Sequence, residues 1–165
     1  MALPSTMPPE QIPPTLVGVA GEYYVAAELS RRGFIASISL RNTRGTDILA
    51  TNQEGTRSVT IQVKTTQQKG TSWILNEKAE SFFPRNHFYV FVRLRDKEER
   101  PEFHVVPSRV VAKYVKKSHH DWLGKRGKGG RRHHDSSVRQ FRDLGNKYLE
   151  KWRILRLSRS KKKRD

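Results

Sequence analysis

Between Ser58 and Lys64 apolar and polar residues alternate: Val59, Ile61 and Val63 fall on one side, Gln62 and Lys64 on the other. Successive side chains of a strand point to opposite faces, and residues two apart share a face with Cα atoms roughly 6.6–6.8 Å apart. The spacing therefore predicts a half-buried strand with three branched residues toward a core. It also sets an amide and an ammonium side by side on the opposite face.

The neighbouring segments fit around this strand. Gly18 to Arg32 reads as a helix with Val19, Tyr23, Ala26, Ala27 and Leu29 as its buried stripe, stopped by Gly33. Phe34–Leu40 and a segment from Asp47 to Ala50 read as strands, with turns at Asn42–Gly45 and Asn52–Gly55. Glu77–Phe83 reads as a short helix, His87–Leu94 and Glu102–Val106 as strands, and residues 108–116 as a helix. Phe141, Leu144, Tyr148, Trp152 and Leu155 recur every three or four residues, which predicts a final helix over about 136–155. The alternation of helices and strands implies an α/β domain with a mixed sheet. Five prolines in residues 1–14 mark an extended or disordered arm. Residues 15–157 are read as one domain with a basic loop near 124–134, and 158–165 as a basic tail.

The chain is long enough at 165 residues for one domain with its own core, and it has no cysteine. Disulfides and thiolate metal sites are excluded. No run approaches the roughly 20 apolar residues of a membrane-spanning helix, and no signal-peptide pattern opens the sequence. No membrane partner and a cytoplasmic location are expected. Net charge is +17, and residues 125–165 hold 16 basic against 4 acidic groups. That asymmetry points to a polyanion. Nucleic acid is the first choice; a ribosome or an anionic membrane is the alternative.

Asp47 stands at a strand start, where Asp is depleted. It either ties the preceding turn through backbone hydrogen bonds or offers a hard oxygen to a cation. Lys64 either guards a strand end or stabilises charge on a phosphate. A hairpin near Asn52–Gly55 puts Asp47 and Gln62 on adjacent strands. With Asp47, the Gln62 amide oxygen and the Val63 carbonyl would suit Mg²⁺, which takes few protein ligands plus waters and phosphate oxygens. Mn²⁺ is a substitute. Glu22 either serves the dipole near the helix start or joins the site as a further ligand.

Gly21-Glu22 with Ala26-Ala27, Leu29 and Gly33-Phe34, then Gly45-Thr46-Asp47-Ile48, then Gln62-Val63-Lys64 resemble the PD-(D/E)xK nuclease superfamily, in its resolvase-like and restriction-endonuclease-like branch. The resemblance covers roughly residues 18–65 and extends more loosely to 106. It implies a restriction-endonuclease-like mixed sheet flanked by helices: helix, three antiparallel strands, helix and a further strand. It implies Mg²⁺-dependent endonuclease cleavage of nucleic acid, leaving a 5′-phosphate and a 3′-hydroxyl. Asp47 would be the main metal ligand, Glu22 and Gln62 supporting ligands, and Lys64 the catalytic lysine. Gln62 departs from the pattern, which has an acid there. A nucleic-acid-binding protein on a nuclease-like scaffold, weak or inactive in catalysis, is therefore the alternative.

Arg41, Arg44 and Lys69 flank the site segments, and Lys125, Arg126, Lys128, Arg131 and Arg132 crowd a glycine-rich stretch. All are candidates for phosphate contacts, probes of backbone rather than base sequence. His119, His120, His133 and His134 do not reproduce a zinc spacing. Trp73, Trp122 and Trp152 are expected to pack. DNA is the expected partner. A homodimer is expected too, because one site per chain cuts one strand.

Overall fold

The alternating segment is the third strand of a five-stranded sheet in a computed structural model that describes residues 12–39 and 45–158. Helix α1 (Pro14–Arg31) is followed by β1 (Ile35–Ile38), β2 (Ile48–Thr51) and β3 (Ser58–Thr66). These three strands pair antiparallel in sequence order. Strand β4 (Ser72–Asn76) and a 3-10 turn (Glu77–Glu80) then lead to β5 (His87–Arg93), which lies parallel to β3. Strand β6 (Glu102–Pro107) closes the order β1-β2-β3-β5-β6. Helix α2 (Ser108–Leu123) follows, and β7 (Val138–Arg142) pairs with β4 in a separate two-stranded ribbon.

Each face of the sheet has its own core. Val59, Ile61 and Val63 join Val25 and Leu29 of α1, Ile48, Val90 and the C-terminal Trp152, Leu155 and Leu157. Tyr89 and Phe91 face the other way, with Trp73, Leu75, Phe141, Val111 and Val115. Tyr89 pairs with Gln62 and Phe91 with Lys64 in register. The expected placement of Gln62 and Lys64 opposite the valines is therefore the observed one.

Helix α1 buries Val17, Gly21 and Val25 with Leu29, and of the predicted stripe only Leu29 is fully buried. Tyr23 is 64% exposed. The stripe runs every fourth residue through a glycine, and Gly21 seats the helix on β3. A Cβ at Gly21 would lie 1.8 Å from Thr65 Oγ1. Glu28, a charged residue in mid-helix, is buried among Arg31, Arg32 and Arg100. Burial pushes its carboxyl pKa up, but hydrogen bonds from the three arginines outweigh this and hold it below the usual range.

The predicted helix over 136–155 does not exist. Its residues form β7, a turn with Gly145 at φ 73° and Asn146 at φ 55°, and a 3-10 turn over Trp152–Leu155. The expected helix at Glu77–Phe83 is a single 3-10 turn, and β4 lies in a stretch for which the sequence predicts no element. Residues 148–150 run along β6 instead: Val105 N–H donates to Tyr148 O at 3.0 Å and Glu150 N–H to Phe103 O at 2.8 Å. That backbone covers the outer edge of β6.

Candidate active site

Strand β2 begins at Ile48, opposite Ile61, while β3 runs on to Thr66. Asp47, just before Ile48, turns its side chain into the space where β2 would have extended. Its backbone N–H donates to Ile61 O at 2.9 Å, and its Oδ2 accepts the Val63 N–H at 2.7 Å. A carboxylate thus substitutes for the missing strand and is fixed between Gln62 and Lys64. Residues 42–44 of the preceding turn, which the other reading of Asp47 invokes, lie outside the described residues. The N–H and C=O of one strand residue point to the same side, so the Val63 carbonyl also looks past the end of β2.

Asp47 is half-buried. Burial pushes its pKa up, while the Val63 N–H and the nearby Lys64 charge pull it down, and burial prevails. Tyr89, beside Gln62, has its phenol pushed up to about 12 by burial and by the Asp47 charge. A raised phenol pKa keeps that hydroxyl a neutral donor.

Glu22 reaches Asp47 from the helix side. Both line one cleft of about 270 Å³, with Thr15, Gly18, Ser39 and Thr46. Glu22 is the ninth residue of α1, well beyond the first turn, so the dipole of a helix start does not account for it. Gln62 lines a different cleft, of about 470 Å³, with Gly45 and Tyr89. Lys64 shares the face of Gln62 and is half-buried. The four side chains therefore approach from three directions: Glu22 from one face, Gln62 and Lys64 from the other, and Asp47 in the plane between them.

Among the described residues no group of three His, Asp or Glu side chains is placed to hold a metal. The donors present are two carboxylates in one cleft, with a backbone carbonyl beside them. Mg²⁺ needs one or two carboxylates and takes waters and phosphate oxygens for the rest. The donor set fits a hard cation of that kind.

Arg41 and Arg44 lie outside the described residues. Lys69 is exposed in the turn after β3. Lys125, Arg126, Lys128, Arg131 and Arg132 are exposed beyond α2, where a bridge joins Arg126 to Arg132. They lie beyond a helix that packs on the Tyr89 and Phe91 face of the sheet, the face of Gln62 and Lys64. Trp122 stacks on His133 at 4.1 Å and on His119 at 5.5 Å between ring centroids. Trp73 and Trp152 are buried, as expected.

No protein-family model matches the chain, and no curated protein does. Solved structures similar to it include two nucleases. One is a bacterial homing endonuclease, 15% identical with a TM-score of 0.49, the match covering 86% of this chain and 89% of that one. The other is Hjc, a Holliday junction resolvase from the archaeal hyperthermophile Archaeoglobus fulgidus, 15% identical with a TM-score of 0.41, covering 76% and 88%. The sequence resemblance implies a helix, three antiparallel strands, a helix and a further strand; the structure has the first helix and the three strands, and its further strand β5 lies parallel to β3. The fold is α/β, a mixed five-stranded sheet with a helix on either side. It departs from the implied order in one place, where β4 and a 3-10 turn stand for the second helix.

Sequence reasoning missed the residues around Gln62: Asn76, Lys78, Phe82 and Tyr89. Their signal was weak but present. Trp73-Ile74-Leu75 is a short apolar run bounded by polar residues, and Asn76 accepts the Lys78 N–H as a cap at 3.1 Å.

Proposed function

We propose that this protein is a metal-dependent endonuclease that hydrolyses phosphodiester bonds in DNA. The supporting observation is the Asp47 carboxylate held by the Val63 N–H at the end of β2, sharing a cleft with Glu22. Asp47 and Glu22 would be the acidic ligands of Mg²⁺ or Mn²⁺, and the Val63 carbonyl and the Gln62 amide oxygen the neutral ones, which leaves the Gln62 amide hydrogens to the neighbouring cleft. The ion, when bound, neutralises phosphate charge and lowers the pKa of a bound water.

The chain's own groups do the rest. The Val63 N–H fixes the Asp47 rotamer, so the carboxylate is oriented before substrate arrives. Lys64, on the opposite face of β3 from Val63, places an ammonium against the scissile phosphate. It stabilises the negative charge that grows as water adds to phosphorus. The bond from phosphorus to the 3′-oxygen breaks, leaving a 3′-hydroxyl and a 5′-phosphate. Lys69 and the basic group from Lys125 to Arg132 hold the backbone through phosphate contacts. One site cuts one strand, so scission of a duplex calls for a homodimer, which sedimentation would detect.

The test is cutting of plasmid and branched DNA in Mg²⁺ and in Mn²⁺ by the native chain, Asp47→Ala and Lys64→Ala. Cutting that both substitutions abolish, with DNA binding kept, supports the enzyme. The second reading, a binding protein that has lost catalysis, is favoured by the neutral Gln62 at the position of the motif acid. Binding without cutting in either metal would select it.

A further inference from the structure

The cleft of Gln62 is larger than the one holding the two carboxylates, and the metal chemistry leaves most of it unused. It measures about 470 Å³ and is lined by Gly45, Gln62, Asn76, Lys78, Phe82 and Tyr89, among others. That volume lies within the range of pockets for small organic ligands. Its walls are of three kinds. Phe82 leaves 41% of its surface open and is propped edge-on by His87, with ring centroids 4.9 Å apart. Gln62 and Asn76 bring two carboxamides, and the Asn76 oxygen already accepts the Lys78 N–H, which leaves its amide hydrogens to donate elsewhere. Lys78 contributes a cation and Tyr89 a hydroxyl.

The cleft is tied to the phosphate chemistry by position. Gln62 is strand neighbour to the residue that holds Asp47, and Tyr89 feels the Asp47 charge. Gly45 lies two residues before Asp47 with φ 66°, and a Cβ there would stand 3.4 Å from the Phe82 ring. The open ring and the absent side chain together keep a slot next to the carboxylate.

We infer that this slot receives one unpaired nucleobase of the strand being cut, stacked on Phe82 and read at its edge by the Gln62 and Asn76 amides. An aromatic ring holds any base by its face, and a carboxamide pairs with a base edge that a duplex keeps occupied. Lys78 takes the adjoining phosphate. The substrate is then DNA with an unpaired nucleotide beside the scissile bond, such as a bulge, a flap or a branch. The inference rests on the endonuclease reading for the location of the cut, and the experiment separates the two.

Binding is measured by fluorescence anisotropy, without divalent metal, on a matched duplex and on the same duplex carrying one bulged nucleotide. The bulged DNA is expected to bind about tenfold tighter, the worth of one stacked base. Phe82→Leu keeps the apolar cover over Gly45 but removes the stacking face, and Asn76→Ala removes an edge contact. Each is expected to bring the preference to within about threefold of unity. Both residues are exposed, and thermal melting checks their folding. Equal binding of the two DNAs, or a preference that survives both substitutions, overturns the slot. Cutting in Mg²⁺ is scored separately. A preference without cutting leaves the slot and ends the nuclease; cutting without a preference leaves the nuclease and ends the slot.

Discussion

Burial raises the Asp47 pKa, which makes its charge costly in the folded state, and the proposed chemistry needs that charge. Its folded-state pKa is raised, so the favourable contribution is present below the unfolded carboxylate pKa and is lost as pH rises through the folded value. Asp47→Asn keeps an oxygen for the Val63 N–H and removes the buried charge. It should melt higher than the native chain at pH 7, with the gap closing as the pH falls through the raised folded value toward about 4. Cleavage should fall at least about 100-fold, within the range for loss of one preorganised polar group. An Asn variant that melts lower at pH 7 would mean that the Lys64 attraction outweighs burial. His87 shows the opposite sign. Burial pushes its pKa down to about 4, and its Nδ1 meets Thr60 Oγ1 at 2.8 Å. Its contribution is present above about pH 6.5 and lost as pH falls toward 4. His87→Asn should flatten that acid limb in denaturant titrations at pH 7 and pH 4.5.

The seat of α1 on β3 has no slack at Gly21. Gly21→Ala drives a methyl group into Thr65 and should cost roughly 1–3 kcal/mol by chemical denaturation. Thr65→Ala removes the oxygen at 1.8 Å but leaves Cβ 2.9 Å from the new atom, so it should rescue only part of the loss. The same contact explains why the helix stripe was misread from sequence: a residue with no side chain was the closest one to the sheet. Strand β3 was readable because its two faces differ in kind, and Asp47 because a carboxylate is out of place on a strand. The last forty residues were not. Phe141, Leu144, Tyr148, Trp152 and Leu155 keep a helical interval, yet Phe141 and Trp152 enter different cores and Leu144 lies exposed. Gly145 in mid-pattern was the warning, since a residue at φ 73° breaks a helix. The cleft around Gln62 was hidden for another reason: it joins β3, β5 and the turn after β4, which nothing local connects.

Charge and core are distributed unevenly over the molecule, and each distribution makes a measurable claim. If Arg131 and Arg132 contact phosphates, replacing both with Ala should lower the slope of log K against log salt by about 1.8, two contacts at about 0.9 each. Affinity should drop on every DNA sequence alike. Trp152 is buried against Phe103 at 5.5 Å and carries the Arg32 guanidinium 4.6 Å above its ring. Trp152→Ala should cost about 3–5 kcal/mol. Arg32 and Arg100 both reach Glu28 on α1 and Glu150 near the C-terminus, so the two ends of the chain are joined by charge as well as by packing.

The backbone at Tyr148–Glu150 that lies along β6 has a consequence for how this protein is made. Trp152, Leu155 and Leu157 form one wall of a core whose other walls are built from the first two-thirds of the chain. A ribosome therefore releases the helix and every strand of the main sheet before that wall exists. A nascent chain halted at residue 146 should remain open to protease, and protection should arrive only as the final dozen or so described residues emerge.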